Sequence, residues 1–176
     1  MEEIRILAIN PGSTSTKIAV YHNEDPIFVK NIKHSSEELA KYEKVVDQLS
    51  FRKQLIIDEL NEAEISDNHV KAIVGRGGLV KPIQSGVYEV NDAMVADLIN
   101  SPMGEHASNL GGLIARDIAA SLPDAKAYIT DPVVVDELAE VARITGHPDF
   151  QRKSIFHALN QKAVARQHAQ QILKKY

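Results

Sequence analysis

Cysteine and tryptophan are absent from this chain of 176 residues, and its aromatic side chains number only 4 Phe and 5 Tyr. Without cysteine there is no disulfide framework, no thiolate zinc site and no cysteine nucleophile, a usage that suits a reducing compartment and leads to the expectation of a cytoplasmic protein. Long apolar runs are also missing, and nothing approaches the ~20 residues of a membrane span. Met1-Glu2-Glu3 opens the chain with acids, the reverse of the cationic start of a secretory leader. Neither sign of charge dominates, since 20 Lys+Arg against 24 Asp+Glu leave a formal net charge of −4. A mildly acidic chain lacks the basic surface that phosphate backbones and anionic lipids attract, so neither nucleic acid nor membrane is an expected partner. No internal repeat, low-complexity tract or Pro/Gly/Ser linker occurs. What remains is an ordinary 44% apolar content over a length that suits one domain, or one domain and a piece of another.

The hydropathy pattern changes period along the chain. Arg5 to Asn10, Lys17 to His22 and Pro26 to Lys33 are short β-branched-rich runs joined by tight turns, which predicts an antiparallel three-strand meander. From Ser35 onward Leu39, Tyr42, Val46, Leu49, Leu55, Ile56 and Leu60 recur at three- and four-residue steps, so helix is expected, in two pieces, with Ser36-Glu37-Glu38 at its start. Val70 to Val74 and Gly86 to Val90 read as strands, Asn91 caps a helix to about Ile99, and Ser108 or Asn109 opens another through Leu122. Ala127 to Thr130 is a further strand, after which Asp131-Pro132 predicts a helix with Asp as cap and Pro at its first position. The last stretch, Phe156 to Lys175, is amphipathic and helical, with Leu159, Ala163, Ile172 and Leu173 on its apolar stripe. Strands alternating with helices in this order imply an α/β or α+β layered fold, with a boundary near Gly146-His147-Pro148: residues 1–148 as one domain and 149–176 as the start of a second.

Five short segments could carry chemistry. N-P-G-S-T-S-T-K, Asn10 to Lys17, lies between the first two strands; a turn with Gly12, several hydroxyls, backbone N–H groups and a lysine suits phosphate oxygens. It is not a P-loop, because the second glycine before the lysine is missing and a strand follows. A solvated Ser/Thr-rich turn is the alternative. V-G-R-G-G, Val74 to Gly78, places Arg76 at a strand end, where a guanidinium can grip a carboxylate or phosphate or can simply be solvated on a turn. His106 precedes a helix start, Asp131 follows a strand, and His157 opens the last helix with Asn160 on its face. Read singly, these three suit a surface histidine, a helix cap and a capping or core histidine. His22, His34, His69, His147 and His168 have no metal-ligand spacing and are expected to be solvated. Gly111-Gly112 sits in an apolar helix and is expected to allow close packing.

The order of these segments, N-P-G-S-T-S-T-K, G-R-G-G-L-V-K-P with G-V-Y-E-V-N, G-E-H-A-S-N, I-T-D-P and F-H-A-L-N-Q-K-A, resembles the amino-terminal half of the acetate kinase family, in its butyrate-type pattern. That family lies in the actin/hexokinase/Hsp70-like superfamily, and the resemblance implies a ribonuclease H-like α/β domain: a mixed sheet beginning with the meander, helices on both faces. It implies a short-chain carboxylate kinase that transfers the ATP γ-phosphate to butyrate or a related branched or short acid. ATP/ADP and magnesium are the implied cofactors, a small carboxylic acid the implied partner, and a homo-oligomer the implied assembly. By the same resemblance Asn10, Gly12, Ser13, Ser15 and Lys17 hold phosphate, Asn10 lies near the metal, and Arg76, His106, Asp131 and His157 form the catalytic set. Acetate kinases have a pattern like H-R-V-V-H-G-G where this chain has Ile73 in place of the arginine and Arg76 in place of the second histidine. The family's second glycine-rich phosphate loop, adenosine motif and further arginine belong to its carboxyl-terminal half, and no glycine follows Gly146 here. The 176 residues alone are therefore expected to be inactive, with a non-catalytic half-domain that binds phosphate only as the rival reading.

Overall fold

In the computed structural model, which describes residues 4–65 and 69–173, the opening meander is present as β1 (Arg5–Pro11), β2 (Ser15–His22) and β3 (Asp25–Lys33), paired antiparallel. The turns between them are short because Asn23 takes a left-handed conformation at φ 55° and Gly12 N–H donates to Ser15 O at 2.7 Å. β4 (Val70–Arg76) adds parallel to β1, β6 (Lys126–Thr130) parallel to β4, and β5 (Val87–Glu89) antiparallel on the outer edge, giving the order β3-β2-β1-β4-β6-β5. Since β1, β4 and β6 run the same way, Pro11, Arg76 and Thr130 end at one edge of the sheet, the place where ligands gather in α/β sheets.

The strand alternation decides which face is core. Leu7 and Ile9 pair with Val20 and Ile18, and with Ile73 and Ile129 they are buried against α2 (Leu49–Glu62) and α4 (Asn109–Ala119). α3 (Asp92–Asn100) packs beside α4, capped by the Asn91 side chain, which accepts from Met94 N–H at 2.9 Å. Helix–strand contact is close because glycines face each other: a Cβ on Gly75 would meet Gly111 O at 2.1 Å, and one on Gly111 would meet Arg76 O at 2.3 Å. The packing expected of Gly111-Gly112 is thus present, and its partner is the strand that ends in Arg76. On the opposite face Ala8, Ala19, Tyr21, Val29 and Val74 line an open groove of about 790 Å³ bordered by Leu159 and Ala163 of α6 (Ala158–Gln171).

Four expectations change. The first helical segment is a single turn, α1 (Ser36–Leu39), followed by a 3₁₀ turn (Val45–Gln48) that runs into α2; its cap is Ser35, whose hydroxyl accepts from Glu38 N–H while Glu38 returns a bond to Ser35 N–H. No helix begins at Asp131-Pro132. Asp131 adopts φ 51°, outside the extended conformation that an N-cap takes, and the chain continues in turns and an isolated bridge between Ile83 and Val135 before the one-turn helix α5 (Glu140–Arg143). His34 is buried rather than solvated, 2.8 Å from Thr16 Oγ1 and tilted against Phe51. The terminal helix starts at Ala158 and ends at Gln171, so Ile172 and Leu173 lie beyond it, both exposed, and Lys175 falls outside the described residues.

Candidate active site

The residues singled out from the sequence meet at the carboxyl end of the parallel strands. Asn10 and Lys17 are direct cross-strand partners on β1 and β2, so both side chains stand on the sheet face opposite the core. Gly12, Ser13 and Ser15 form the turn between them, with Ser13 and Thr14 exposed and Ser15 already in strand. A cleft of about 380 Å³ is lined by Asn10, Gly12, Ser13, Ser15, Lys17, Arg76, His106, Ser108 and His157. Asp131 stands outside that cleft. It lines the adjoining groove, where Asn10, Lys17 and Arg76 also contribute.

Arg76 closes β4, and its surroundings are fixed by the two glycines after it. Gly77 N–H donates to Thr130 O at 2.7 Å, and a Cβ there would meet Pro132 Cα at 2.7 Å. A Cβ at Gly78 would meet Asn109 Oδ1 at 2.5 Å, an atom that accepts from Leu79 N–H at 2.8 Å. The Asn109 amide also donates to Gly104 O at 3.1 Å and to Ser101 Oγ at 3.2 Å, so one buried side chain ties the loop carrying His106 to the loop after Arg76. In the sequence Asn109 showed only as a possible helix opener. Ile73, at the position of the arginine in the acetate kinase pattern, is fully buried in the core and cannot reach a ligand. Arg76 can.

The histidines are held differently. Ser108 N–H donates to His106 Nδ1 at 3.2 Å, so that nitrogen accepts and in the neutral ring the proton sits on Nε2, which can donate. His157 Nδ1 lies 2.8 Å from the Asp131 carbonyl oxygen, to which it donates when Nδ1 carries the ring proton; without that proton it accepts from Arg76 Nε–H instead. The same nitrogen is 3.3 Å from Asp131 Oδ2 and 3.2 Å from Arg76 Nε, and Arg76 Nη2 is 3.9 Å from Asp131 Oδ2. Asp131 Oδ1 accepts from Leu159 N–H at 2.9 Å. The aspartate does cap a helix, but it is α6, which begins 26 residues after the Pro132 start expected for the helix it was to cap, and it holds His157 and Arg76 in one cluster. Among the described residues no group of three His, Cys, Asp or Glu could hold a metal. Magnesium held chiefly by nucleotide phosphates and water needs no such cage, and the Asn10 side-chain oxygen on the cleft wall fits that mode.

Arg52 went unnoticed in the sequence, where it looks like one polar residue of an amphipathic helix. It is 1% exposed and lies directly behind the Gly12–Ser15 turn. Burial pulls its pKa below the ordinary arginine value, and an arginine stays charged through such a change.

No family model matches the chain. Over 172 residues it is 58% identical to butyrate kinase 1 of Clostridium acetobutylicum, and over 173 residues 58% identical to a protein named "Probable butyrate kinase" from Bacteroides thetaiotaomicron; each match covers 98% of this chain and 48% of the relative. The chain thus spans about half the length of the curated relatives it matches. Among solved structures it superposes on the acetate kinase of Porphyromonas gingivalis with a TM-score of 0.63 at 14% identity, covering 98% of this chain and 50% of that one. The propionate kinase of Francisella tularensis gives 0.59 at 16% identity, with 98% and 50% covered. These likenesses show the acetate kinase fold, and over 98% of its length the chain is similar to about half of two butyrate kinases.

Proposed function

We propose that the protein carrying these residues is a short-chain carboxylate kinase, converting ATP and butyrate to ADP and butanoyl phosphate. The observation that carries the reading is the assembly of Asn10, Ser13, Ser15, Lys17, Arg76, His106 and His157 from four separate segments around one cleft at a strand-end edge. Phosphoryl transfer requires mainly positioning and neutralisation of charge on the transferred group. The Lys17 ammonium, the turn between β1 and β2 and the His106 Nε2–H supply positive ends. Arg76 presents a planar fork that matches a carboxylate and aims its oxygen at the γ-phosphorus; the bond from that phosphorus to the ADP oxygen breaks as the new one forms. His157, oriented by Asp131, stands beside Arg76 where the transferring group passes. Where magnesium accompanies the nucleotide, Asn10 would hold it and the ion would supply charge neutralisation to the phosphates. In this reading residues 149–176 open a second domain, supported by the exposed apolar side chains Ile155, Val164, Ile172 and Leu173 there. The family also implies a homo-oligomer.

A second reading, that the 176 residues by themselves bind phosphate without turnover, is supported by their match to only 48% of the first relative. One assay addresses both: acyl phosphate trapped as hydroxamate from ATP, magnesium and butyrate. The native protein at its full encoded length should give product and residues 1–176 alone none. Absence of product from the full-length protein with butyrate, propionate, acetate and branched acids alike would overturn the kinase reading.

A further inference from the structure

The Arg52 guanidinium, inside the fold, is surrounded by oxygens that carry no formal charge. Its Nη1 donates to Gly12 O at 2.7 Å, Ser15 O at 3.3 Å and Thr16 Oγ1 at 3.2 Å; its Nη2 donates to Ser13 O at 3.3 Å; Nη2 and Nε both donate to Gln48 Oε1, at 2.8 and 3.0 Å. No carboxylate pairs with it among the described residues. A buried cation without an anion is expensive unless it is fully hydrogen-bonded, and a core position of this kind would be better filled by an apolar side chain if only stability were at stake.

The bonds have a directional consequence. A trans peptide is planar, with the C=O of one residue and the N–H of the next pointing opposite ways. Gly12 O and Ser13 O are drawn inward to Arg52, so the N–H groups of Ser13 and Thr14 face outward. Thr14 O accepts from His34 N–H at 2.9 Å, which ties the far side of the turn to the end of β3. Ser13 and Thr14 are exposed, and Ser13 lines the cleft. The turn presents successive amide donors with an unneutralised positive charge directly behind them.

We propose that Arg52 is the positioning residue of the Gly12–Ser15 turn: it turns the amides toward the nucleotide phosphates and lends them a charge that Gln48 leaves uncancelled. This deepens the phosphate role of the turn and so rests on the kinase reading, but its test does not depend on turnover. Lysine at 52 keeps the charge yet cannot reach three carbonyls and Gln48 together. Glutamate at 48 keeps the guanidinium in place and cancels its charge.

The experiment is a titration of the ¹⁵N-labelled chain with pyrophosphate, followed at the Ser13 and Thr14 amides. Wild type should shift these amides; Arg52→Lys should weaken the apparent affinity about tenfold and Gln48→Glu three- to tenfold, with unchanged spectra elsewhere. Should Arg52→Lys fail to fold, Gln48→Glu decides. Wild-type affinity in both variants, or a wild-type titration that moves amides elsewhere and leaves the turn still, overturns the inference. In the full-length native protein Arg52→Lys should raise the ATP KM and lower kcat while the butyrate KM stays within twofold; a merely structural loss would instead scale kcat with the folded fraction and leave both KM values alone, and that result also counts against it. If no acyl phosphate forms but the pyrophosphate titrations behave as stated, the kinase reading falls and the role of Arg52 stands.

Discussion

Lys17 pairs across the strands with Asn10 and faces the cleft, so in the proposed kinase its ammonium would meet the charge that grows on a phosphoryl group in transit more than the charge of bound butyrate. Lys17→Ala in the full-length protein should therefore lower kcat at least 100-fold and change the butyrate KM little, measured by hydroxamate trapping; a kcat within threefold of wild type would remove Lys17 from the reaction. His34 makes a separate, pH-dependent claim. Burial first, and the Arg52 charge second, hold its pKa below the ordinary 6.5. The unfolded chain takes up this proton near pH 6.5 and the native one only at lower pH, so the contribution is fully present above about 6.5 and is lost as pH falls toward the native value, at no more than about 1.4 kcal/mol per pH unit. Urea unfolding at pH 7.5 and 5.5 should show this loss in wild type and a smaller one in His34→Gln. An equal pH effect in both would refute it. The sequence carried most of the site but not its back wall. Segments rich in glycine, hydroxyls or a lone charge between apolar strands could be read, because their types are unusual in their places. His34 and Arg52 could not, since burial is a property of what packs on them, and a polar residue at a helical step looks solvated until its neighbours are known.

The elements tell a similar story. The meander, both later parallel strands and the helices at Asn91 and Asn109 were legible because period-2 runs and caps are local signals. The 3₁₀ turn between Lys44 and Leu49 and the loop after Asp131 were not, because they depend on partners far along the chain. Asp131 is instructive: Asp before Pro reads as a cap for the next helix, but the backbone at φ 51° turns the chain away and the carboxylate caps α6 through Leu159. Losing a capping acceptor costs about 1 kcal/mol, and aspartate and asparagine tolerate the left-handed conformation better than alanine does. Asp131→Ala should thus be less stable than Asp131→Asn by at least about 1 kcal/mol in urea midpoints; equal stability would deny the cap. The contact between β4 and α4 gives a stronger expectation. A methyl group on Gly75 lies 2.1 Å from backbone, which side-chain rotation cannot relieve. Gly75→Ala should cost at least about 2 kcal/mol, seen as a lowered thermal midpoint, whereas Gly146→Ala, with open space around it, should be nearly neutral. A harmless Gly75→Ala would mean that strand and helix do not meet as described.

At the scale of the whole molecule, the core is continuous on one face of the sheet, and the other face carries an open groove that α6 only borders. Exposed apolar side chains concentrate late in the chain, with Val141, Ile144, Phe150, Ile155, Phe156, Val164, Ile172 and Leu173 all at least 40% exposed. No helix among the described residues is long and apolar enough to cross a membrane. Exposed apolar side chains gathered in this way are expected to meet protein. Residues 1–176 alone should self-associate at tens of micromolar, detectable by sedimentation velocity, and a strictly monomeric chain at that concentration would contradict this. A carboxylate kinase needs a cleft that handles both a phosphoryl group and a carboxylate, and Arg76 is the group that distinguishes them. Its substitution by lysine keeps the charge and removes the fork. In the full-length native protein, steady-state kinetics of acyl phosphate formation by Arg76→Lys should show a butyrate KM raised at least tenfold and an ATP KM within twofold of wild type. A change confined to the ATP KM would move Arg76 to the nucleotide and contradict the carboxylate kinase site described for this cleft.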